Sequence, residues 1–244
     1  MTYHLPAQIL LLLLTAIPLH GCAAAAVPVL ASAAIATTSR DQPVQQSTSP
    51  LSAEPPLATP LPPEFAALIA HVERRAALWR EGAPINSLVL DSRQTVLNPV
   101  AIGCARREPL VIFDADPAAA PANDSAMQAT WRETLASIRA SGVGILWVTE
   151  RFENETAALR PALPGAEPAD AIAGRNAPDD RKQAIRQRWA ATHCILAVVG
   201  DVRADADEAY AYLRDPATPL PIDSNWGAGW FLLPLPEVQG KIGE

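Results

Sequence analysis

The fold is indicated by a pattern that first occurs in the segment Leu88-Val89-Leu90-Asp91-Ser92-Arg93-Gln94-Thr95-Val96-Leu97-Asn98, where an apolar strand runs directly into an aspartate. Three later apolar segments also end in an acidic or hydroxyl side chain: Leu110–Asp114, Ile145–Thr149 and Cys194–Asp201. Helical stretches separate these strands, which predicts a three-layer, Rossmann-like α/β fold with a parallel sheet and helices on both faces. Because the carboxyl ends of parallel strands meet along one edge, we expect the functional crevice there.

Apolar periodicity predicts the helices that connect these strands. They are expected at Glu64–Arg80, Met127–Ala140, Arg181–Ala190 and Asp205–Arg214. Residues 161–180 are rich in Pro, Ala and Asp, which indicates a loop with a short helix. Trp230–Leu233 predicts a final short strand, ended by the prolines that follow it.

The N-terminal residues carry the features of an export signal. The apolar run Ile9–Leu19 is too short to span a bilayer, and it leads into Leu19-His20-Gly21-Cys22, which is similar to a bacterial lipobox. We therefore expect residues 1–22 to be a lipoprotein signal peptide and Cys22 to carry the lipid. The alternative is an ordinary signal peptide that is cleaved nearby and leaves the protein without an anchor.

The residues after Cys22 divide into a tether and a domain. Residues 23–63 are mostly Ala, Pro, Ser, Thr and Gln with almost no charge, a composition that cannot offset its ordering entropy and predicts a flexible tether. Residues 64–244 remain, about 180 residues, which is enough for one domain with its own core.

Composition and cysteine usage narrow the possible partners. The net charge is −7 and no basic stripe is interleaved with aromatic residues, so we expect no nucleic-acid partner. The four histidines are scattered and give no zinc spacing. Cys104 and Cys194 can pair in an oxidising periplasm, but a buried free thiol at Cys194 fits its apolar strand equally well.

Together, these segments resemble the haloacid dehalogenase superfamily, and more closely its secreted class C acid phosphatases, also called 5′-nucleotidase lipoproteins. Leu88–Asn98 is similar to the first motif of that family, an apolar strand followed by D-x-D-E-T-x-L-D/N. The segments similar to the later motifs are, in order, Val148–Arg151, Lys182 with Arg186, Val199–Asp205 and the closing Trp226–Pro236. The resemblance covers residues 64–236 and the lipobox.

The resemblance implies a periplasmic, magnesium-dependent phosphomonoesterase on the outer membrane, attached through its lipid only. Its substrate would be a small phosphomonoester such as a nucleotide. Asp91 would be the nucleophile that forms an aspartyl phosphate, while Thr149 and Lys182 would hold the phosphoryl group. Mg²⁺ would be bound by Asp91, Asp201 and Asp205.

Arg93 departs from the family pattern, because it stands where the family has the aspartate that transfers protons. A guanidinium stays protonated at all working pH values and cannot donate a proton and then act as a base. The alternative function is therefore a catalytically impaired lipoprotein that binds a phosphorylated ligand.

A second assignment of the first motif, to the end of the strand Leu110–Asp114, supplies the proton-transfer aspartate that Arg93 replaces. Asp114 would then be the nucleophile and Asp116 the general acid–base, although the threonine position becomes Ala118. Thr149 follows Asp91 by 58 residues (149 − 91) and Asp114 by 35 (149 − 114), and the longer spacing leaves room for the small cap of class C enzymes. The sequence therefore favours Asp91, with a cap at about residues 99–126.

Overall fold

The computed structural model describes residues 60–91, 97–116 and 125–235. Its helices and strands are, in chain order, α1 (Pro63–Arg80), β1 (Asn86–Leu90), β2 (Ala101–Gly103), β3 (Glu108–Asp114), α2 (Ser125–Ala140), β4 (Gly144–Phe152), β5 (Ala171–Arg175), α3 (Lys182–Thr192), β6 (His193–Gly200) and β7 (Trp230–Leu232). Short 3₁₀ helices lie at Glu153–Ala162, Arg203–Asp205, Glu208–Tyr212 and Pro221–Asn225. Predicted helices α1, α2 and α3 are confirmed, with ends that shift by one or two residues.

Five strands form one sheet in the order β5-β4-β3-β6-β7, and each neighbouring pair is parallel. The predicted α/β fold with a parallel sheet is thus confirmed. Asp114 at the end of the central strand β3 pairs with Val148 of β4, and the preceding Phe113 pairs with Val199 of β6. This register brings the ends of three strands to the same place on the carboxyl edge of the sheet.

The sheet is covered on both faces, as the alternation of side chains along β3 shows. Val111 and Phe113 belong to the core that includes the inner sides of α1 and α2. Leu110 and Ile112 belong to a second core, which includes Ile185 of α3. Each buried aliphatic or aromatic side chain contributes about 1.5–3 kcal/mol to folding, so both faces are stabilised by apolar burial.

The segment Ser87–Leu90 forms a strand, but the prediction that it belongs to the parallel sheet is wrong. β1 instead pairs with β2 in a separate antiparallel pair. This pair covers the α3 face of the sheet, where Trp230 Nε1 donates a hydrogen bond to the Leu88 carbonyl at 2.9 Å. A short apolar run predicts a strand without indicating which sheet it joins.

Three further expectations are corrected. Residues 99–126 do not form a cap as a whole, because β3 is the central strand of the sheet. The segment 161–180, expected to be a loop with a short helix, contains the edge strand β5. The predicted helix Asp205–Arg214 is replaced by short 3₁₀ turns, in which the Asp207 side chain accepts a hydrogen bond from the Ala209 N–H.

Cys104 and Cys194 form a disulfide. It joins the residue that follows β2 to the second residue of β6, and both cysteines are fully buried. The bond therefore ties the β1–β2 pair to the main sheet.

The expectations for residues 1–59, including the signal, Cys22 and most of the tether, lie outside the described residues. Within the described ranges, none of the helices has both the length and the apolar character needed to cross a bilayer.

Candidate functional site

Polar side chains from three neighbouring strands and one helix converge at the carboxyl edge of the sheet. They are Asp114 and Asp116 at the end of β3, Thr149 in β4, Lys182 at the start of α3, and Asp201 and Asp205 after β6. A cleft of about 350 Å³ opens beside them and is lined in part by Asp116, Lys182 and Asp205. The edge predicted from the sequence is the place where this group forms.

Lys182 lies among three carboxylates. Its Nζ is 2.5 Å from Asp114 Oδ1, 3.3 Å from Asp116 Oδ2 and 3.6 Å from Asp205 Oδ1. Lys182 is the first residue of α3, and helix α3 packs against the same face as β1. The helix therefore delivers one ammonium group to the ends of β3 and β6.

The Asp116 carboxylate is held in one orientation by β4. Thr149 Oγ1 donates to Asp116 Oδ1 at 2.6 Å, and the Glu150 backbone N–H donates to Asp116 Oδ2 at 2.5 Å. The Asp116 N–H in turn donates to Asp114 Oδ2 at 3.1 Å. This carboxylate is thus kept beside Asp114, yet its side chain is about a quarter exposed and reaches the cleft.

Three of the acids form a group that could hold a metal ion. Asp114, Asp201 and Asp205 each offer a carboxylate oxygen, and these oxygens lie within 4.8 Å of one another. An ion with bonds of about 2.1 Å to oxygen holds opposite ligand atoms about 4.2 Å apart, so only a small contraction is required. Hard oxygen donors of this kind fit Mg²⁺, Mn²⁺ or Ca²⁺ and disfavour softer metals.

Gly200 permits the position of Asp205. Asp205 Oδ2 accepts the backbone N–H groups of Asp201 at 3.2 Å and Val202 at 3.1 Å, which folds the side chain back over the end of β6. A Cβ at Gly200 would overlap the Asp205 side chain, with Cγ only 2.7 Å away. The glycine is required here because of this close approach rather than for a turn.

The charges of the site are strongly coupled. Burial raises the pKa of Asp114 to about 8; Lys182 opposes this shift, while Asp205 and Asp116 add to it. Burial lowers the pKa of Lys182, but Asp114, Asp116 and Asp205 together outweigh burial and raise it above its ordinary value. Independently of these shifts, three carboxyl groups surround the single ammonium group of Lys182, and this excess of acidic groups favours binding of a second cation.

The structure brings together most, but not all, of the residues proposed from the sequence. Asp91 follows β1 of the antiparallel pair, and its N–H donates to the Val100 carbonyl at 3.1 Å. It is not a member of the three-acid group, in which Asp114 takes the place expected for Asp91. This geometry favours the second assignment, with Asp114 and Asp116, over the preference for Asp91 drawn from the sequence. Arg93 lies outside the described residues.

Arg186 is a buried residue of this region, which the basic composition of the helix Arg181–Ala190 does not reveal. It is only 2 % exposed. The available signal was its spacing, because Arg186 lies one helical turn after Lys182 and hence on the same face of α3.

No family model matches the chain, and no curated protein sequence matches it. Among solved structures, the chain is similar to a class C acid phosphatase from Bacillus anthracis with tungstate bound. The sequence identity is 14 %, the match covers 71 % of this chain and 76 % of that chain, and the TM-score is 0.42. Likeness at that level carries no argument about activity.

Proposed function

We propose that the protein is a divalent-metal-dependent phosphomonoesterase that works through an aspartyl phosphate on Asp114. One observation carries this proposal: Lys182 contacts both Asp114 and Asp116, while Asp114 shares a possible metal group with Asp201 and Asp205. A nucleophile, a second carboxyl, a fixed cation and a cation site are the parts that phosphoryl transfer requires.

In the first step, an Asp114 carboxylate oxygen attacks phosphorus, and the bond from phosphorus to the leaving-group oxygen breaks. Asp116 donates a proton to that oxygen, so the product leaves as an alcohol. In the second step, Asp116 takes a proton from water, which attacks the aspartyl phosphate and releases inorganic phosphate. Both carboxyl groups return to their starting states.

The other residues of the site neutralise charge on the phosphoryl group and orient the Asp116 carboxyl group. The Lys182 ammonium group neutralises charge on the transferring phosphoryl oxygens, and Thr149 keeps Asp116 aimed at the cleft through its 2.6 Å hydrogen bond. Asp114, Asp201 and Asp205 would hold Mg²⁺, which when bound draws negative charge from the phosphoryl oxygens and favours the ionised form of Asp114.

The Asp114–Asp116 pair removes the objection raised by Arg93. Asp116 supplies a carboxyl for proton transfer, so this role does not fall on residue 93. The alternative of an impaired protein that binds a phosphorylated ligand predicts cation binding without turnover, which the test below distinguishes.

We also propose that the substrate is a small phosphomonoester, such as a nucleotide, and that the protein is exported and lipid-anchored. A cleft of about 350 Å³ suits a small ester. The disulfide between Cys104 and Cys194 supports an oxidising compartment, and the Ile9–Cys22 segment supports lipidation. Incorporation of labelled palmitate that is lost in Cys22→Ala tests the anchor.

The direct test of the activity is hydrolysis of p-nitrophenyl phosphate by the purified protein in Mg²⁺ and in EDTA. We expect turnover that EDTA abolishes and added Mg²⁺ restores. Calorimetry with Mg²⁺ on the same sample separates the two hypotheses: binding without turnover favours the impaired protein. Turnover that persists in EDTA would contradict the metal-dependent mechanism.

A further inference from the structure

Arg186 lies behind the proposed cation site without belonging to the three-acid group. It follows Lys182 by one turn of α3 and lines the same cleft, although it is almost fully buried. A buried guanidinium is costly unless its surroundings compensate for lost hydration, so its presence needs a physical reason.

The hydrogen bonds of Arg186 Nη2 lead, directly or through Gln183, to the segment that follows β6. Its Nη2 donates to Gln183 Oε1 at 2.5 Å and to the Ala204 carbonyl at 3.5 Å. Gln183 Nε2 donates to Asp207 Oδ2 at 3.2 Å, and Asp207 Oδ1 accepts the Ala209 N–H at 2.9 Å. Arg186 is therefore joined to this segment at Ala204, directly, and at Asp207, through Gln183.

These two attachments flank Asp205, one of the three acids that could hold the cation. We propose that Arg186 is a positioning residue that acts through Gln183 and the Ala204 carbonyl to hold Asp205 in the geometry required for binding a divalent cation. The inference rests on the proposed metal site. Outer groups that orient a ligand typically change metal affinity by about 10- to 100-fold when they are removed.

The charge of Arg186 alone would change the cation affinity in the opposite direction, so the two roles can be told apart by experiment. Burial disfavours the charged form of Arg186, while the acidic groups Asp207, Asp205, Asp114 and Glu208 favour it. If Arg186 acted only through its charge, its removal would leave the acids more negative and tighten cation binding. If it positions Asp205, its removal weakens cation binding in spite of the lost positive charge.

The experiment is isothermal calorimetry of the full-length protein with Mg²⁺. We expect Arg186→Met to bind Mg²⁺ at least about tenfold more weakly than the wild type. Gln183→Leu leaves the charge unchanged but breaks the link to Asp207, and we expect it to weaken binding in the same direction. Arg188→Met is the matched control: Arg188 is on the same helix, exposed and paired with Asp180, and its removal should leave the affinity unchanged.

Tighter or unchanged binding in Arg186→Met, or unchanged binding in Gln183→Leu, overturns the inference. Circular dichroism checks that each variant is folded. If Arg186→Met does not fold, Gln183→Leu and Arg186→Lys test the inference in its place, and it then requires that both bind Mg²⁺ more weakly than the wild type. A wild type that binds no Mg²⁺ overturns the proposed function and this inference together. A wild type that binds Mg²⁺ and hydrolyses phosphomonoesters, with variants of equal affinity, overturns this inference alone.

Discussion

Lys182 Nζ lies 2.5 Å from Asp114 Oδ1, although the two residues are 68 positions apart in the chain. The contact joins the first residue of α3 to the last residue of the central strand. Because Lys182 also reaches Asp116 and Asp205, one ammonium group bridges the ends of β3 and β6. The proposed chemistry depends on this convergence.

Asp116 is predicted to be the proton-transfer group. We expect Asp116→Asn to lower kcat/KM, which reports the first step and not the later attack of water, by about 10²–10⁴ for an alkyl phosphate, because a poor leaving group needs protonation. The loss should be smaller for p-nitrophenyl phosphate, whose leaving group departs as an anion. Glu150→Gln is the control, since Glu150 is exposed and contacts Asp116 through its backbone N–H. An equal loss for both substrates would contradict the assignment.

Gly200 is predicted to be required for cation binding. In Gly200→Ala the new methyl group overlaps Asp205, so we expect Mg²⁺ affinity, measured by calorimetry, to fall at least about tenfold. Gly103→Ala is the matched control, because a Cβ there meets nothing within 4 Å. Equal affinities in the two variants would show that the position of Asp205 does not govern cation binding.

His71 is predicted to make the fold sensitive to acid. Its Nε2 lies 3.0 Å from the Leu196 carbonyl. Burial lowers the pKa of His71 from 6.5 to about 4. The hydrogen bond to Leu196 opposes this shift, and the positive charges of Arg75 and Arg74 add to it. As the pH falls, His71 therefore becomes protonated near pH 6.5 in the unfolded chain but only near pH 4 in the folded chain. The free energy of unfolding should fall over this window by up to about 3 kcal/mol as pH decreases.

Thermal unfolding from pH 7 to pH 4 measures this effect. His71→Gln keeps a hydrogen-bond donor for Leu196 but does not titrate, so its Tm should fall less steeply than that of the wild type. Parallel curves for the two proteins would contradict the assignment of this acid sensitivity to His71.

The disulfide is predicted to stabilise the fold substantially. It links residues 90 positions apart, and the chain-entropy estimate for a loop of this size is about 4.6 kcal/mol. We expect dithiothreitol to lower the urea midpoint of the wild type. The double variant Cys104→Ala, Cys194→Ala should unfold at the lower midpoint with or without reductant. A reductant effect in the double variant would show that the change has another origin.

The sheet was predictable because β3, β4 and β6 are continuous apolar runs, as strands buried on both faces must be. β5 was missed because Ala171–Arg175 is a short edge strand of weak strand-forming residues. β1 was predicted as a strand but placed in the wrong sheet, because periodicity reports burial and not the identity of the pairing partner.

The site residues were likewise predictable where they depend on local sequence and not where they depend on strand pairing. Thr149 and Asp201 were predicted from the carboxyl ends of their strands, whereas Lys182 and Asp205 were predicted from the resemblance of their segments to family motifs. The structure brings the four residues together around Asp114 and Asp116. The choice between Asp91 and Asp114 depended on strand pairing across the chain, which spacing could not provide. The burial of Arg186 is set by packing of α3 against the segment after β6, which the composition of the helix does not report.

The measurement that tests the central claim most directly is Mg²⁺-dependent hydrolysis of p-nitrophenyl phosphate by Asp114→Asn and Asp91→Asn, with folding of both variants established by circular dichroism. We predict that Asp114→Asn loses activity by at least about 10³-fold, because the amide cannot attack phosphorus, and that Asp91→Asn retains most of it. Retained activity in Asp114→Asn, or its loss in Asp91→Asn alone, would contradict the account.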